Sequence, residues 1–281
     1  MKIGISAETT IDLTKELLEK YQIHTTPFTI LLEDKTYLDG EITTDKIIES
    51  VLKTGVLPKT SAINEYQFTE HFDKLFSDGY DYIIHFSISS EMSSACVNAQ
   101  NAAKKYKGKV HVVDTRVLST GIALLAIYAS KLANNVSFNE VVQKVEKRIP
   151  YVQTSFVLER LDYLYKGGRC SSLAYFGANL LKLKPQIIVK NGKMEAAKKY
   201  RGTTANVVRK YCEDVLQEFN TPDKEEVFIT YTTANEDMLN NAREVLENYG
   251  FKNINVTRAG GTITSHCGEH CLGILFINDG E

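Results

Sequence analysis

Three polar clusters and one basic stretch hold the residue types able to do chemistry in this sequence. In Pro58-Lys59-Thr60-Ser61-Ala62-Ile63, the hydroxyls of Thr60 and Ser61 precede a helical pattern that begins near Asn64, where such groups either cap a helix or hold a ligand. Ser87-Ile88-Ser89-Ser90-Glu91-Met92-Ser93-Ser94 lies where a buried strand hands over to a helix. That edge of a parallel sheet is where ligands bind, and the free N–H groups of a helix start suit an anion. Five serines exceed the needs of one cap, but the segment matches neither a Walker loop nor G-x-G-x-x-G, so phosphate specificity does not follow.

The third cluster runs from Gly260-Gly261-Thr262 through His266-Cys267-Gly268-Glu269-His270-Cys271. Its H-C-x-x-H-C spacing offers imidazole and thiolate ligands for zinc, yet four ligands so close together crowd a single ion, and the flanking glycines read as a loop that approaches a ligand closely. We therefore expect no metal. His266 beside Ser61 or Ser93 would pair a nucleophile with a base, as in a serine/histidine esterase-like hydrolase, but the sequence has neither a G-x-S-x-G elbow nor an obvious orienting acid. From Lys182 to Lys210 there are nine Lys or Arg residues and a single acid, Glu195. That stretch is either a solvated face or a docking patch for an acidic partner. Nucleic acid is not expected, because no aromatic-interleaved RNA-binding pattern accompanies it.

The elements that must position these clusters follow from hydrophobic periodicity. Strand-like Lys2 to Ser6, Tyr80 to Ser87 and Lys109 to Asp114 are each followed by a helical pattern: Asp12 to Tyr21, Met92 to Tyr106 and Leu118 to Asn134. That alternation predicts an α/β domain with a mostly parallel sheet and helices on both faces. Gly55 and Gly79 close helices, Ser137 and Glu140 form a capping box, and Pro150 ends the helix they open. Beyond Pro150 the pattern becomes α+β. A strand spans Thr154 to Leu158, helices cover LERLDYLYK and Ser171 to Leu183, and a hairpin turns at Asn191-Gly192. A helix (Thr203 to Phe219), a strand (Val227 to Tyr231), a helix (Asn235 to Tyr249) and strands at Asn253 to Thr257 and Leu272 to Ile277 complete the chain. We expect two closely packed domains, 1–150 and 151–281.

Composition bounds the function. With 281 residues the chain is long enough for two domains, and 43% hydrophobic with 24% charged residues excludes a disordered or fibrous polymer. The net charge of −2 gives no global attraction to nucleic acid or an anionic surface. Five cysteines, an odd number without scaffold spacing, point to a reducing compartment, and MKIGISAETT reads as a first strand rather than a signal peptide. No apolar run approaches the roughly 20 residues of a membrane span. We expect a cytoplasmic protein without a transmembrane segment, which leaves room only for transient membrane contact.

Taken in order, these places resemble the DegV family over essentially the whole chain. Thr9 to Leu13 (TTIDL) is similar to its D-S-T-A-D-L-like start, with Glu8 replacing the acid, and Tyr37-Leu38-Asp39-Gly40 resembles Y-x-D-G. Pro58 to Ser61 matches P-K-T-S, with Ala62-Ile63-Asn64 where the family has Q-P-S, and Ser89 to Ser94 parallels S-S-G-L-S-G. The most specific match is Leu161 to Arg169 with L-x-Y-L-K-K-G-G-R. Lys184-Pro185 and Asn191-Gly192 continue the series, and Gly260 to Gly268 resembles G-P-V-I-G-x-H-x-G, although the usual H-T-G-P-G reads His266-Cys267-Gly268-Glu269-His270. Characterised members are fatty-acid-binding subunits of bacterial fatty acid kinase. The resemblance thus implies a carrier that lays a long-chain fatty acid in an interdomain tunnel and presents its carboxylate to a separate kinase catalytic subunit, with no cofactor and no catalysis of its own. By that likeness Ser61 and Ser93 bind the carboxylate, with Ser94, His266, Thr60 and Thr262 nearby, and Arg169 and Arg201 face the partner.

Overall fold

The computed structural model describes residues 1–170 and 183–280. Three sheets organise it. The first is wholly parallel, in the order β2-β1-β6-β7, from Ile23–Thr26 (β2), Ile3–Glu8 (β1), Tyr82–Ser87 (β6) and Val110–Asp114 (β7). A small antiparallel sheet joins Lys35–Leu38 (β4), Thr29–Leu32 (β3) and Lys59–Ser61 (β5). The third, mostly antiparallel, runs β10-β9-β8-β13-β11-β12 through Lys193–Tyr200, Lys184–Lys190, Val152–Val157, Leu272–Ile277, Glu226–Tyr231 and Asn253–Arg258. The mixed α/β architecture expected from the sequence is therefore present, with a parallel sheet in the first half and a sheet-rich second half. We propose residue 150 as the domain boundary. It falls in the 3-10 turn Ile149–Tyr151, after Phe138–Arg148, the helix that opens with the expected Ser137/Glu140 box.

Helix Thr120–Leu132 is buried on nearly every side and packs against β1 and β6 of the parallel sheet as well as β8, β11 and β13 of the third. This explains its apolar character from Ile122 to Ala129, ahead of the polar Ser130 and Lys131: it is a core helix between two sheets. The main apolar cluster accordingly runs from Ile3 and Ile5 through Leu125 to Leu275 and Ile277, across the proposed boundary, while a second packs Thr204–Glu218 and Glu236–Tyr249 on the third sheet. At the hairpin tip, Asn191 and Gly192 have φ of 51° and 81°, the left-handed pair that a type I′ turn requires.

Several expectations need correction. Asp12 to Tyr21 is not one helix. A 3-10 turn covers Thr9–Ile11, Asp12 turns left-handed (φ 53°), and the helix is confined to Lys15–Lys20 with Thr14 as its cap. The small antiparallel sheet was not anticipated, because its strands are only three or four residues long, too short for a clear alternation. LERLDYLYK is helical only at Asp162–Lys166, and the helix expected over Ser171 to Leu183 lies, but for Leu183, outside the described residues. The stretch read as a glycine-flanked loop is instead a helix, Gly261–Cys267.

That last helix is anchored at its amino end by carboxylates from the other half of the chain. Asp12 Oδ1 accepts from Gly260 N (2.7 Å), and Asp39 accepts from Gly261 N (2.8 Å) and Thr262 N (3.2 Å). Burial raises the Asp12 carboxyl to about 8, opposed by hydrogen bonds with Ser119 and Gly260 and assisted by the charge of Asp39. A carboxyl that keeps its proton to about 8 when folded, and to about 4 when unfolded, adds stability that is complete below about 4 and is lost as pH rises through about 8. The thermal midpoint is therefore expected to fall between about pH 5 and about pH 9, and Asp12→Asn to flatten that slope; an unchanged slope contradicts the assignment.

Candidate functional site

A cavity of about 500 Å³ opens between the two halves of the chain. One part of its wall is apolar, formed by Phe28, Ala62, Ile88, Leu118, Met194 and Ile263. Another is polar, formed by Thr60, Ser90, Ser93, Ser94, Thr262 and His266, with the exposed Glu91 and Arg169 on the rim. Leu118, Ile263 and Cys267 also wall a constricted apolar space of about 20 Å³ that continues inward to Phe156, Cys271 and Leu275.

Each polar group comes from a different element. Strand β5 supplies Thr60, and its pleat turns neighbouring side chains to opposite faces. Thr60 and Ala62 therefore line the cavity, whereas Ser61 is exposed on the outer face and lies outside the lining. The segment after β6 supplies Ser93 and Ser94, just before Ala95–Ala103; Ser93 Oγ accepts from Ala95 N (3.2 Å), and the Ser94 side chain makes no cap bond. Behind that segment Glu8, buried at the end of β1, accepts from Ser87 Oγ (2.5 Å) and Ile88 N (3.0 Å) and fixes where the strand ends. Helix Gly261–Cys267 supplies Thr262 and His266 from a single face.

His266 Nε2 and Thr60 Oγ1 share a hydrogen bond of 2.8 Å. Burial, with the Arg169 charge adding to it, pushes the imidazole down to about 4, so it is uncharged at neutral pH. Its Nδ1 has no partner among the described residues, and neither has the buried Thr262 Oγ1. Gly167 permits the approach of this ring: a Cβ there would lie 2.6 Å from His266 Nδ1. Both atoms are sealed within the wall, so the partners the cavity offers a ligand are its other polar groups, the hydroxyls of Thr60, Ser93 and Ser94 among them.

The remaining expected residues are placed apart. Arg169 is exposed and donates to Gly167 O, whereas Arg201 is exposed beyond the end of β10 and outside the lining. Within the basic stretch, Lys184 pairs with Glu159, Lys193 with Glu91, Lys198 with Asp214 and Glu218, Arg209 with Glu244 and Lys210 with Asp214, so much of its charge is already compensated. His266 and His270 do not converge: the first faces Thr60, while the backbone of the second donates to Thr233 Oγ1. Among the described residues, no group of three or more His, Cys, Asp or Glu side chains could hold a metal ion, and all five cysteines are free and buried. No described helix is long and apolar enough to cross a membrane. The sequence reading gave no role to Asp12 and Asp39, although both stand in family motifs, and it could not find the apolar wall, which no local pattern marks.

The unpartnered Thr262 hydroxyl yields a contrast between two like substitutions. Thr262→Val removes a buried group that lacks a partner, so the thermal midpoint of the empty protein is expected to hold or rise; Thr60→Val strands His266 Nε2 and is expected to cost about 1–2 kcal/mol. Equal losses for both in thermal unfolding contradict this view of the polar wall.

Comparison with known proteins agrees with the motifs. A family model described as an uncharacterised protein of the DegV family matches residues 2–279. A fatty acid-binding protein of Thermotoga maritima is 28% identical, with 97% of this chain and 96% of that protein covered. The structure of a fatty-acid-binding DegV family protein from Thermus thermophilus superposes with a TM-score of 0.89 at 26% identity, covering 99% of this chain and 100% of that one. The Streptococcus pneumoniae fatty acid kinase B3 protein, loaded with linoleic acid, shares the fold with a TM-score of 0.85 at 19% identity, covering 99% and 100%. The chain belongs to the DegV family.

Proposed function

We propose that this protein binds a long-chain fatty acid between its two halves and presents the carboxylate to a separate fatty acid kinase, itself carrying out no catalysis. The observation that carries this reading is the division of the cavity wall between an apolar side and a polar side that gathers the hydroxyls of Thr60, Ser93 and Ser94 with the imidazole of His266. Fatty acid binding by the Thermotoga and Thermus relatives supports it. The kinase step rests on the motif resemblance and on the exposed Arg169 at the mouth of the cavity.

A buried methylene contributes roughly 0.8 kcal/mol, so a chain of about fifteen carbons gains on the order of 12 kcal/mol before the costs of immobilisation and partial carboxylate desolvation. The tail supplies affinity and the head group sets orientation. We assign the carboxylate to Thr60, Ser93 and His266, with Ser94 and Thr262 as further donors. Thr60 takes the place that the resemblance gives to Ser61, since the pleat turns Ser61 outward. Uncharged hydroxyls and a neutral imidazole stabilise an anion without a buried cation that would compete for release. A hydrolase needs an acid behind the histidine, and the atom that such an acid would engage, His266 Nδ1, has no partner among the described residues.

Solvent extraction and mass spectrometry of the purified protein test this reading. A single class of long-chain fatty acid near one per chain is expected, reduced by Ser93→Ala. With the kinase added, Arg201→Ala is expected to keep the lipid and to slow acyl phosphate formation. Absence of fatty acid, or ester hydrolysis that depends on His266, overturns the assignment.

A further inference from the structure

The β9–β10 hairpin departs from the sheet to which it belongs. Strand β9 pairs with β8 through Val157↔Gln186, Phe156↔Ile187 and Ser155↔Ile188, and there the ladder stops. The β9–β10 ladder nevertheless continues to Lys190↔Lys193. Where the next rungs would form, Gln153 and Thr154 stand apart from Val189 and Lys190 across a cleft of about 350 Å³, and Gln153 Oε1 is buried without a partner among the described residues.

The tip instead docks on the other half of the chain. Ser89 Oγ donates to Gly192 O (2.7 Å) and Arg116 Nη2 donates to Asn191 O. Glu91 lies between Lys193 (3.3 Å) and Arg116 (3.7 Å). The seat is close-fitting at its centre: a Cβ on Gly192, whose φ is 81°, would lie 2.6 Å from Ser89 Oγ and 2.7 Å from Arg116 Cζ and would displace the two side chains that hold the tip. Docked in this way, the hairpin brings Met194 into the cavity wall, and the segment it grips leads directly to Met92 and Ser93 of the same wall. Neither Ser89 nor Arg116 lines the cavity.

We propose that Ser89 and Arg116 are positioning residues that latch this hairpin shut over the ligand, and that release of the latch lets the tip swing about Ile188 toward β8, opening the cavity for fatty acid exchange. Two seats compete for the tip: the Ser89–Arg116 latch, and two further rungs of the β8–β9 ladder, which would fill the cleft. This rests on the fatty acid reading for its ligand, but not for its motion. Opening is needed for entry and exit alike, so a weaker latch speeds both and leaves their ratio unchanged.

Stopped-flow uptake and displacement of a fluorescent long-chain fatty acid, in wild type, Ser89→Ala, Arg116→Ala and Gly192→Ala, reads this directly. Each substitution is expected to raise both the on-rate and the off-rate about tenfold with Kd unchanged within about twofold, as loss of hydrogen bonds of this kind implies. Unaltered rates overturn the latch, and so does a rise in off-rate alone, the signature of a damaged wall. Backbone amide exchange reads the motion without ligand. Residues 189–194 are expected to exchange faster in Ser89→Ala than in wild type while β12 is unchanged, and equal exchange overturns the proposal. Should the protein take up no fatty acid while this amide difference stands, the fatty acid reading fails and the latch survives.

Discussion

The geometry of the site depends on how the amino end of helix Gly261–Cys267 is held. Three successive amides there, of Gly260, Gly261 and Thr262, would be unsatisfied in a buried helix start. Asp12 and Asp39 accept from all three, and both come from the opposite half of the chain. The two halves are thus joined by hydrogen bonds to two buried acids, and the helix is fixed in rotation. Thr262 and His266, one turn apart, consequently face the cavity together. Thr9 and Ser119 secure the two carboxylates from behind.

This arrangement also limits what can hold a ligand's head group. A helix start is a ready anion site, but here the protein's own acids already occupy it. Apart from the exposed Glu91 and Arg169, the cavity is left with hydroxyls and a neutral imidazole, a softer set than a buried cation would be. Such a set suits a carrier, which must hold a carboxylate in a fixed orientation and still give it up. Burial of His266, with the charge of the exposed Arg169 adding to it, keeps the imidazole neutral and so keeps that balance.

Much of the scaffold was legible because its signals are local. The capping box at Ser137, the Asn191-Gly192 turn and the apolar run of β13 each carry their cause within a few residues. Helix Gly261–Cys267 was not legible: glycine and threonine are weak helix formers, and the acids that cap it lie more than two hundred residues away in sequence. Asp12 was misread for the same reason, since its side chain serves a distant helix instead of continuing a local one. In the site, the residue types at Thr60, Ser93, Thr262 and His266 marked a polar wall, while strand pleat separated Thr60 from Ser61 in a way that the P-K-T-S motif alone does not reveal. The apolar wall draws on residues from Phe28 to Ile263 and exists only in three dimensions.

The central claim is that a carboxylate sits against Thr60, Ser93 and His266 with its tail in the apolar cavity. Carbon-13 NMR of a carboxyl-labelled fatty acid added to the purified protein examines that contact at the atom concerned. The account predicts one bound carboxyl resonance in slow exchange, its position constant from about pH 5 to about pH 9 and displaced by His266→Ala. A resonance that titrates as the free acid does, or one indifferent to His266, would contradict it.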